Sequence, residues 1–335
     1  MDLALSEEQE AFRSTVVRFL AKTSSPERVR EAEPLGFDEA VWRGLAAMGI
    51  PTMAASPGGA SLGDLSVVAR EAGAHLAPVP IVEAAVANRL LARFDREVDD
   101  ATVRTLALRP AVDGRCNLVS GGAVAAEVVV LDGDDLLLVQ PREPTTRHAP
   151  ANLGSAPLAD IDLAAQTTER LSPRGGSAVA AHGVALDEWR ALTASWFVGL
   201  GRSALALGVQ YVKDRRQFGV PIGSFQAVQH RLADLATALD GAALLADKAV
   251  WALDTGDPAA ATFPAMAFSW CGETAQRAAA ASLHLHGGYG FMEEYDIQLH
   301  FRRAKAARLV LADPRRELAA LADRLFGPVE AGPGG

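Results

Sequence analysis

The chain begins with apolar residues spaced for amphipathic helices. Ser6 and Gln9 form the capping-box pair that starts a helix. The apolar positions that follow share one helical face: Phe12, Val16, Phe19 and Leu20. A second helix is predicted after Asp38, and two more over about 65–74 and 81–94. The pattern therefore predicts a helical N-terminal part.

The pattern changes after about residue 106. Two apolar runs, 128–131 and 136–139, flank the turn sequence Asp132-Gly133-Asp134-Asp135, which predicts a β-hairpin. Further short strands are predicted at 117–120, 161–164 and 178–181. Together these runs indicate a β unit that is small for a free-standing barrel.

Helical spacing returns at Leu186 and continues to the end of the chain. The first predicted helix covers 186 to about 214, and the second contains the apolar positions from Phe225 to Leu239. The third runs from Pro264 to the Gly287-Gly288 pair, and two more cover 297–309 and 315–326. Apolar residues at alternating spacings of three and four are typical of a helix bundle. The C-terminal part is therefore predicted to be a bundle.

These patterns predict a mainly α protein with a small β middle domain. The predicted divisions are an N-terminal helical domain over 1–106, a β domain over 107–183, a C-terminal helical bundle over 184–326, and a disordered tail over 327–335.

Composition narrows the class of function. The formal net charge is −9 and 49% of the 335 residues are hydrophobic, so neither nucleic acid nor an anionic membrane is expected as the main partner. Cys116 and Cys271 lie too far apart to suggest a disulfide framework or a metal knuckle. The acidic N-terminus has no signal-peptide pattern and no apolar run reaches membrane-spanning length, which favours a cytoplasmic protein.

Residues 183–192, GVALDEWRAL, place two carboxylates at the predicted start of a long helix. Asp187 is then expected to cap the free backbone N–H groups, and Glu188 to lie favourably near the positive end of the helix dipole. The alternative is that Glu188 is a catalytic base. The local sequence alone does not decide between these interpretations.

Two longer motifs carry a resemblance to a known family. The first, DRRQFGVPIGSFQAVQHRLADL, lies between two predicted bundle helices, and the second, ASLHLHGGYGFMEEY, ends the third. In this order, on a helix–strand–helix layout, they resemble the acyl-CoA dehydrogenase family. The resemblance implies an N-terminal helical domain, a reduced β-barrel and a C-terminal four-helix bundle.

The resemblance also implies FAD as cofactor, bound where two subunits meet. In the family, one subunit holds the flavin ring and the bundle of its neighbour contacts the rest of the dinucleotide. The positions matching this cross-subunit contact are Arg215, Gln217, Phe218, Gln226, His284, Gly287 and Gly288. An arginine side chain suits a pyrophosphate, and glycine permits close approach of the backbone. His284 stands where the family usually has glutamine.

Histidines near the second motif do not form a metal-binding pattern. His284 and His286 are two residues apart at a helix end and point in different directions. His230 and His300 lie elsewhere, and no acidic or thiol partner is spaced to complete a site. No metal is therefore predicted.

The positions that carry the family's catalytic base lack a carboxylate in this chain. The family's reaction transfers a proton from the α-carbon of an acyl-CoA thioester to a glutamate, while the β-carbon gives hydride to flavin. The two positions used for that glutamate are Leu311 and Trp189 here. Glu188 is offset by one residue, or about 100° around a helix. Asp187 and Arg190 match acyl-CoA-contacting positions.

The middle segment also lacks the family's flavin-contacting strand motifs. We therefore expect a base-less subunit that completes the FAD site of a longer, catalytic relative in an α2β2 assembly. Its implied activity is α,β-dehydrogenation of an acyl-CoA, by analogy a steroid side-chain thioester, with electron-transfer flavoprotein as a candidate acceptor. The alternatives are a self-sufficient homodimer using Glu188 or Asp313 as base, and a non-enzymatic scaffold.

Overall fold

Local capping interactions define the first helices of the computed structural model, which describes residues 3–56, 58–141, 150–171 and 177–327. The N-terminal helices are α1 (Glu7–Thr23), α2 (Pro26–Ala32), α3 (Glu39–Ala47), α4 (Leu62–Ala74) and α5 (Ile81–Ala92). The predicted Ser6–Gln9 capping box is present, and Asp38 caps α3 by accepting from the N–H groups of Ala40 and Val41. The sequence-based prediction missed α2, which Ser25 caps.

The middle segment forms two small sheets. Its strands are β1 (Arg104–Leu106), β2 (Arg115–Val119), β3 (Glu127–Asp132), β4 (Asp135–Gln140), β5 (Ala159–Asp162) and β6 (Thr167–Arg170). One sheet has the order β1-β3-β4-β6, and the other pairs β2 with β5. The predicted hairpin is confirmed, with Leu131 opposite Leu136 in the antiparallel β3–β4 pair. The strands at 117–120 and 161–164 are also confirmed, with shifted ends.

The remaining helices form the C-terminal bundle. They are α6 (Ser177–Asp214), α7 (Gln226–Thr255), α8 (Phe263–Leu285), α9 (Ile297–Ala307) and α10 (Pro314–Phe326). A two-stranded hairpin, β7 (Arg216–Gln217) with β8 (Val220–Pro221), connects α6 to α7. Helix α6 packs against α7, α8 and α9 in the bundle and against α4 in the N-terminal part. The mainly α fold class with a small β middle is confirmed.

The start of α6 corrects two predictions. Residues 178–181 are helical rather than a strand, and the helix begins at Ser177, well before Leu186. Ala178, Ala185 and Leu192 are 0%, 0% and 1% exposed, and their spacing of seven places them on one helical face. Since Asp187 lies inside this helix, the predicted capping role of Asp187 and the dipole role of Glu188 are wrong.

Helix α6 is long and apolar. It is the one helix among the described residues that has the length and composition to cross a membrane. Most of its apolar window is buried against other helices, which is the usual condition of a core helix. Of the predicted disordered tail, residues 328–335 lie outside the described part of the chain.

Two glycines bring α4 and α6 into backbone contact. A Cβ atom at Gly199 would lie 1.8 Å from the carbonyl oxygen of Arg70, and one at Gly73 would lie 2.0 Å from that of Trp196. Real Cβ contacts do not reach such distances, so any side chain here must push the helices apart. This crossing fixes the N-terminal helices onto the bundle.

We predict that Gly199→Ala lowers the free energy of unfolding by about 3 kcal/mol because α4 and α6 must separate. The matched control is Gly241→Ala in α7, where a Cβ would meet nothing within 4 Å. There, alanine should stabilise the helix by about 0.5–1 kcal/mol. Urea denaturation followed by circular dichroism measures both values, and equal effects of the two substitutions would contradict the close crossing.

Candidate functional site

A cavity of about 400 Å³ lies where the N-terminal helices, the β segment and the bundle meet. Its walls come from residues 76–83 before and in α5, the loop at 152–156, α6 and the end of α9. The lining is mainly apolar, and the volume lies in the range of small-molecule pockets. The cavity therefore has the size and the lining of a pocket for a small apolar ligand.

Trp189 forms part of the cavity wall. Its side chain is 2% exposed, and its indole Nε1–H donates to Glu83 Oε1 at 3.3 Å. Ser120 Oγ donates to the same carboxylate oxygen at 2.9 Å. The indole therefore occupies one of the two positions expected for a base and hydrogen-bonds a carboxylate from α5.

Glu83 is the one carboxylate among the described residues that line the cavity. Sequence reasoning missed it, because a glutamate in the first turn of a helix is favoured by the helix dipole whatever its function. The available signal was a single acid within the apolar run PVPIVEAAV. The second expected base position, Leu311, is 4% exposed and offers no proton acceptor.

Glu188 is buried in an ion pair that joins α5 to α6. Its Oε1 accepts from Arg89 Nη2 at 2.9 Å and from Arg93, while Oε2 is buried without a hydrogen-bond partner. The residue is 3% exposed and is not one of the described cavity residues. Its carboxylate therefore pairs with Arg89 of α5 and with Arg93, which directly follows that helix, in the arrangement of a structural ion pair.

Asp187 and Arg190 lie in a second ion-pair network, against α10. Arg190 is 6% exposed and donates to Asp187 at 2.9 Å and to Glu317 of α10 at 3.1 Å. Arg324 of α10 also donates to Asp187, at 3.3 Å. The guanidinium predicted to contact acyl-CoA is thus occupied by carboxylates of this chain. Asp313, the other alternative base, caps α10 by accepting from the N–H of Arg315.

The loop after α6 presents an aromatic side chain to the surface. Phe218 and Gly219 form the turn of the β7–β8 hairpin, with φ of +55° and +83°. A non-glycine residue such as Phe218 rarely adopts such a φ. The Phe218 side chain is also 91% exposed. Nothing in the described chain covers this ring apart from an edge contact with Phe225 at 6.3 Å.

All seven residues predicted to contact FAD are on the surface: Arg215, Gln217, Phe218, Gln226, His284, Gly287 and Gly288. Arg215 has no ion-pair partner among the described residues. Gly287 has a φ of +61°, and a Cβ at Gly288 would meet nothing within 4 Å. A free guanidinium beside open backbone fits an anionic ligand such as a pyrophosphate.

The structure brings the two predicted FAD segments together. Tyr211, in the last turn of α6, stacks its ring on that of His286 with centroids 4.0 Å apart. Arg215 follows Tyr211 by one helical turn, and Gly287 follows His286 directly. The 215–226 loop and the 284–288 turn are therefore neighbours, although about 70 residues separate them in sequence.

These segments lie far from the cavity of the same chain. The last residue of α6 that lines the cavity is Trp196, and the helix continues to Asp214. At 1.5 Å per residue, the 18 residues from Trp196 to Asp214 span about 27 Å. The exposed cluster therefore lies well beyond the cavity along one helix.

Histidine and cysteine side chains offer no alternative chemistry in the described part of the chain. No three His, Cys, Asp or Glu residues there are grouped as metal ligands. Burial lowers the pKa of His300 to about 4, and Nε2 of its ring lies 3.1 Å from Ser203 Oγ. Burial also raises the pKa of Cys116 to about 11 and that of Cys271 to about 12, so both thiols are protonated near neutral pH.

Comparison with known proteins identifies the family of this chain. Residues 6–97 match the N-terminal domain of acyl-CoA dehydrogenases, and residues 175–311 match the C-terminal domain. The chain belongs to the acyl-CoA dehydrogenase family, whose cofactor is FAD. One relative is the acyl-CoA dehydrogenase IpdE2 of Mycobacterium tuberculosis, which is 32% identical over 96% of this chain and 98% of its own.

Two solved structures of paired subunits are also similar. The ChsE4–ChsE5 complex from Mycobacterium tuberculosis contains a chain that superimposes with a TM-score of 0.86 and 26% identity, covering 98% of this chain and 100% of that one. A chain of the Tcur3481–Tcur3483 steroid acyl-CoA dehydrogenase, in a G363A variant, gives a TM-score of 0.84 and 27% identity, covering 95% and 98%.

We predict that Glu188→Gln lowers the free energy of unfolding by about 2 kcal/mol, because Arg89 and Arg93 lose their buried anionic partner. The control is Glu8→Gln on the exposed face of α1, which should change stability by less than about 0.5 kcal/mol. Thermal unfolding measures both. Loss of dehydrogenase activity in a Glu188→Gln protein of unchanged stability would instead identify Glu188 as the base.

Proposed function

We propose that this chain is a non-catalytic subunit of an FAD-dependent acyl-CoA dehydrogenase, which completes the flavin site of a longer catalytic partner in an α2β2 assembly. The observation that carries the proposal is the separation described above. The exposed cluster suited to a dinucleotide lies about 27 Å along α6 from the nearest cavity residue of that helix, Trp196. Such a cluster serves a site on another subunit.

The residues of the cavity also support a non-catalytic role for this chain and a catalytic role for its partner. An acyl-CoA dehydrogenase needs a carboxylate aimed at the α-carbon of the substrate. Leu311 and Trp189 stand at the two expected positions, and Arg190 is paired with Glu317 and Asp187. The partner subunit therefore supplies the glutamate and the acyl-CoA pocket of the working site.

The residues of this chain fit the cofactor without acting on the substrate. FAD, when bound, supplies the acceptor for the hydride from the β-carbon. Arg215 would neutralise part of the pyrophosphate, and the open backbone at Gly287 and Gly288 would allow close approach. Phe218 would cover an apolar part of the ligand or partner, which would account for its exposure in the single chain.

The similar structures support a proposal for the substrate class. One similar structure is described as a steroid acyl-CoA dehydrogenase, and both similar structures pair two different subunits. We therefore propose a steroid-derived acyl-CoA thioester as substrate of the assembly. Electron-transfer flavoprotein is the proposed acceptor of the electrons.

A second candidate function has one observation in its favour. Glu83 lines the cavity of this chain and is held by Trp189 and Ser120. If this carboxylate took the substrate proton, the chain would be a self-sufficient homodimeric dehydrogenase. That enzyme would bind FAD and turn over without a partner, and Glu83→Gln would abolish its activity.

The test is co-expression with a glutamate-bearing acyl-CoA dehydrogenase from the same genome. We predict that the chain alone is colourless, and that the purified pair contains FAD. Arg215→Ala should weaken FAD binding by the pair about tenfold to a hundredfold, as expected for loss of a charge-assisted contact to phosphate. The control is Arg18→Ala on α1, an exposed arginine without an ion-pair partner among the described residues.

Flavin absorbance and fluorescence titration of the pair measure both variants. Stoichiometric FAD and dehydrogenase activity in the chain alone would overturn the proposal in favour of the homodimer. A pair that binds FAD with equal affinity in the Arg215→Ala and Arg18→Ala variants would show that the exposed cluster is not part of the flavin site.

A further inference from the structure

Four aromatic rings form a connected cluster at the two predicted FAD segments. Tyr211 and His286 stack at 4.0 Å with an interplanar angle of 27°. His286 then packs edge-on against Tyr295 at 6.0 Å, and Tyr295 stacks on Tyr289 at 5.5 Å. The cluster therefore runs from the last turn of α6 to the residues that follow α8.

Tyr211 lies one helical turn before Arg215, and His286 lies directly before Gly287. The N–H of Arg215 donates to the carbonyl of Tyr211 at 2.8 Å, so Arg215 continues from the turn that carries the ring. Tyr211 Oη donates to the carbonyl of His286 at 3.5 Å, directly before Gly287. The pair is thus a short physical connection between Arg215 and Gly287.

Burial distinguishes His286 from its neighbours. His286 is 7% exposed, whereas His284 and Gly287 are on the surface. His286 Nδ1 lies 2.7 Å from the carbonyl oxygen of Ser282, and since a carbonyl only accepts, Nδ1 carries the proton. This bond and the two ring contacts fix the orientation of the imidazole, which leaves the ring without access to a ligand.

The geometry points to Tyr211 and His286 as positioning residues that fix the separation between Arg215 and the Gly287 turn, and so set the affinity for FAD. This inference rests on the proposed function. A ligand that contacts two segments binds more tightly when their spacing is fixed beforehand, because less ordering accompanies binding. Neither ring needs to touch the cofactor.

The test uses the co-expressed pair, with FAD itself as the probe. After removal of flavin, Tyr211→Leu should raise the dissociation constant for FAD about threefold to tenfold, the range expected for one aromatic pair. Tyr211→Phe keeps the ring and should restore nearly all of the affinity. The matched control is Phe37→Leu, which removes one ring of the Phe37–Trp42 pair in the N-terminal part.

A double variant separates positioning from simple destabilisation. If the two rings act through one contact, Tyr211→Leu combined with His286→Leu should weaken FAD binding no more than the stronger single variant. Independent, multiplying effects would overturn the inference. So would a dissociation constant that is unchanged in Tyr211→Leu while the melting temperature of the pair falls as it does in Phe37→Leu.

The Arg215→Ala variant distinguishes the two proposals. If Arg215→Ala weakens FAD binding but Tyr211→Leu does not, the positioning role is wrong and the shared flavin site stands. If neither substitution changes the affinity for FAD, the shared site itself is wrong, and the positioning role is wrong with it.

Discussion

The close contact of α4 with α6 is the constraint on which the rest of the structure depends. Gly73 and Gly199 let the two backbones touch, and this contact holds the N-terminal helices against the middle of a 38-residue helix. The same helix carries Trp189 in the cavity wall and Tyr211 near the exposed cluster. One rigid element therefore fixes where both sites lie and keeps them apart.

Burial and charge differ sharply between these two sites. Near the cavity, the charged residues of α6 are paired within the chain, Glu188 with an arginine of α5 and Arg190 with Glu317 of α10. At the other end of α6, Arg215 and Phe218 are exposed, and Arg215 has no ion-pair partner among the described residues. The chain therefore pairs these charges near the cavity internally and leaves Arg215 exposed at the other end of the helix.

The sequence predicted those features that depend on neighbouring residues. The capping box at Ser6, the cap at Asp38 and the hairpin around Gly133 each arise from a few adjacent side chains, and all are present. The family resemblance was likewise visible in short motifs. By contrast, the true start of α6 depends on burial of Ala178 and Ala185 against distant elements, which local alternation concealed.

The roles of Glu83 and Glu188 could not be predicted for the same reason. Glu188 is paired with Arg89 and Arg93, which are about 95 to 99 residues away in sequence. Glu83 is held at the cavity wall by hydrogen bonds from Trp189 of α6 and from Ser120, which directly follows β2. Such contacts are set by the tertiary fold, so the local sequence did not reveal them.

The hydrogen bond from Trp189 to Glu83 also limits which charges the cavity can hold. A glutamate placed at position 189 would remove the indole donor and add a second carboxylate to the apolar cavity that Glu83 lines. Two like charges in such surroundings cannot both ionise easily. A second acid in this cavity is therefore compatible with the fold as two carboxylates that share a proton, rather than as two separate anions.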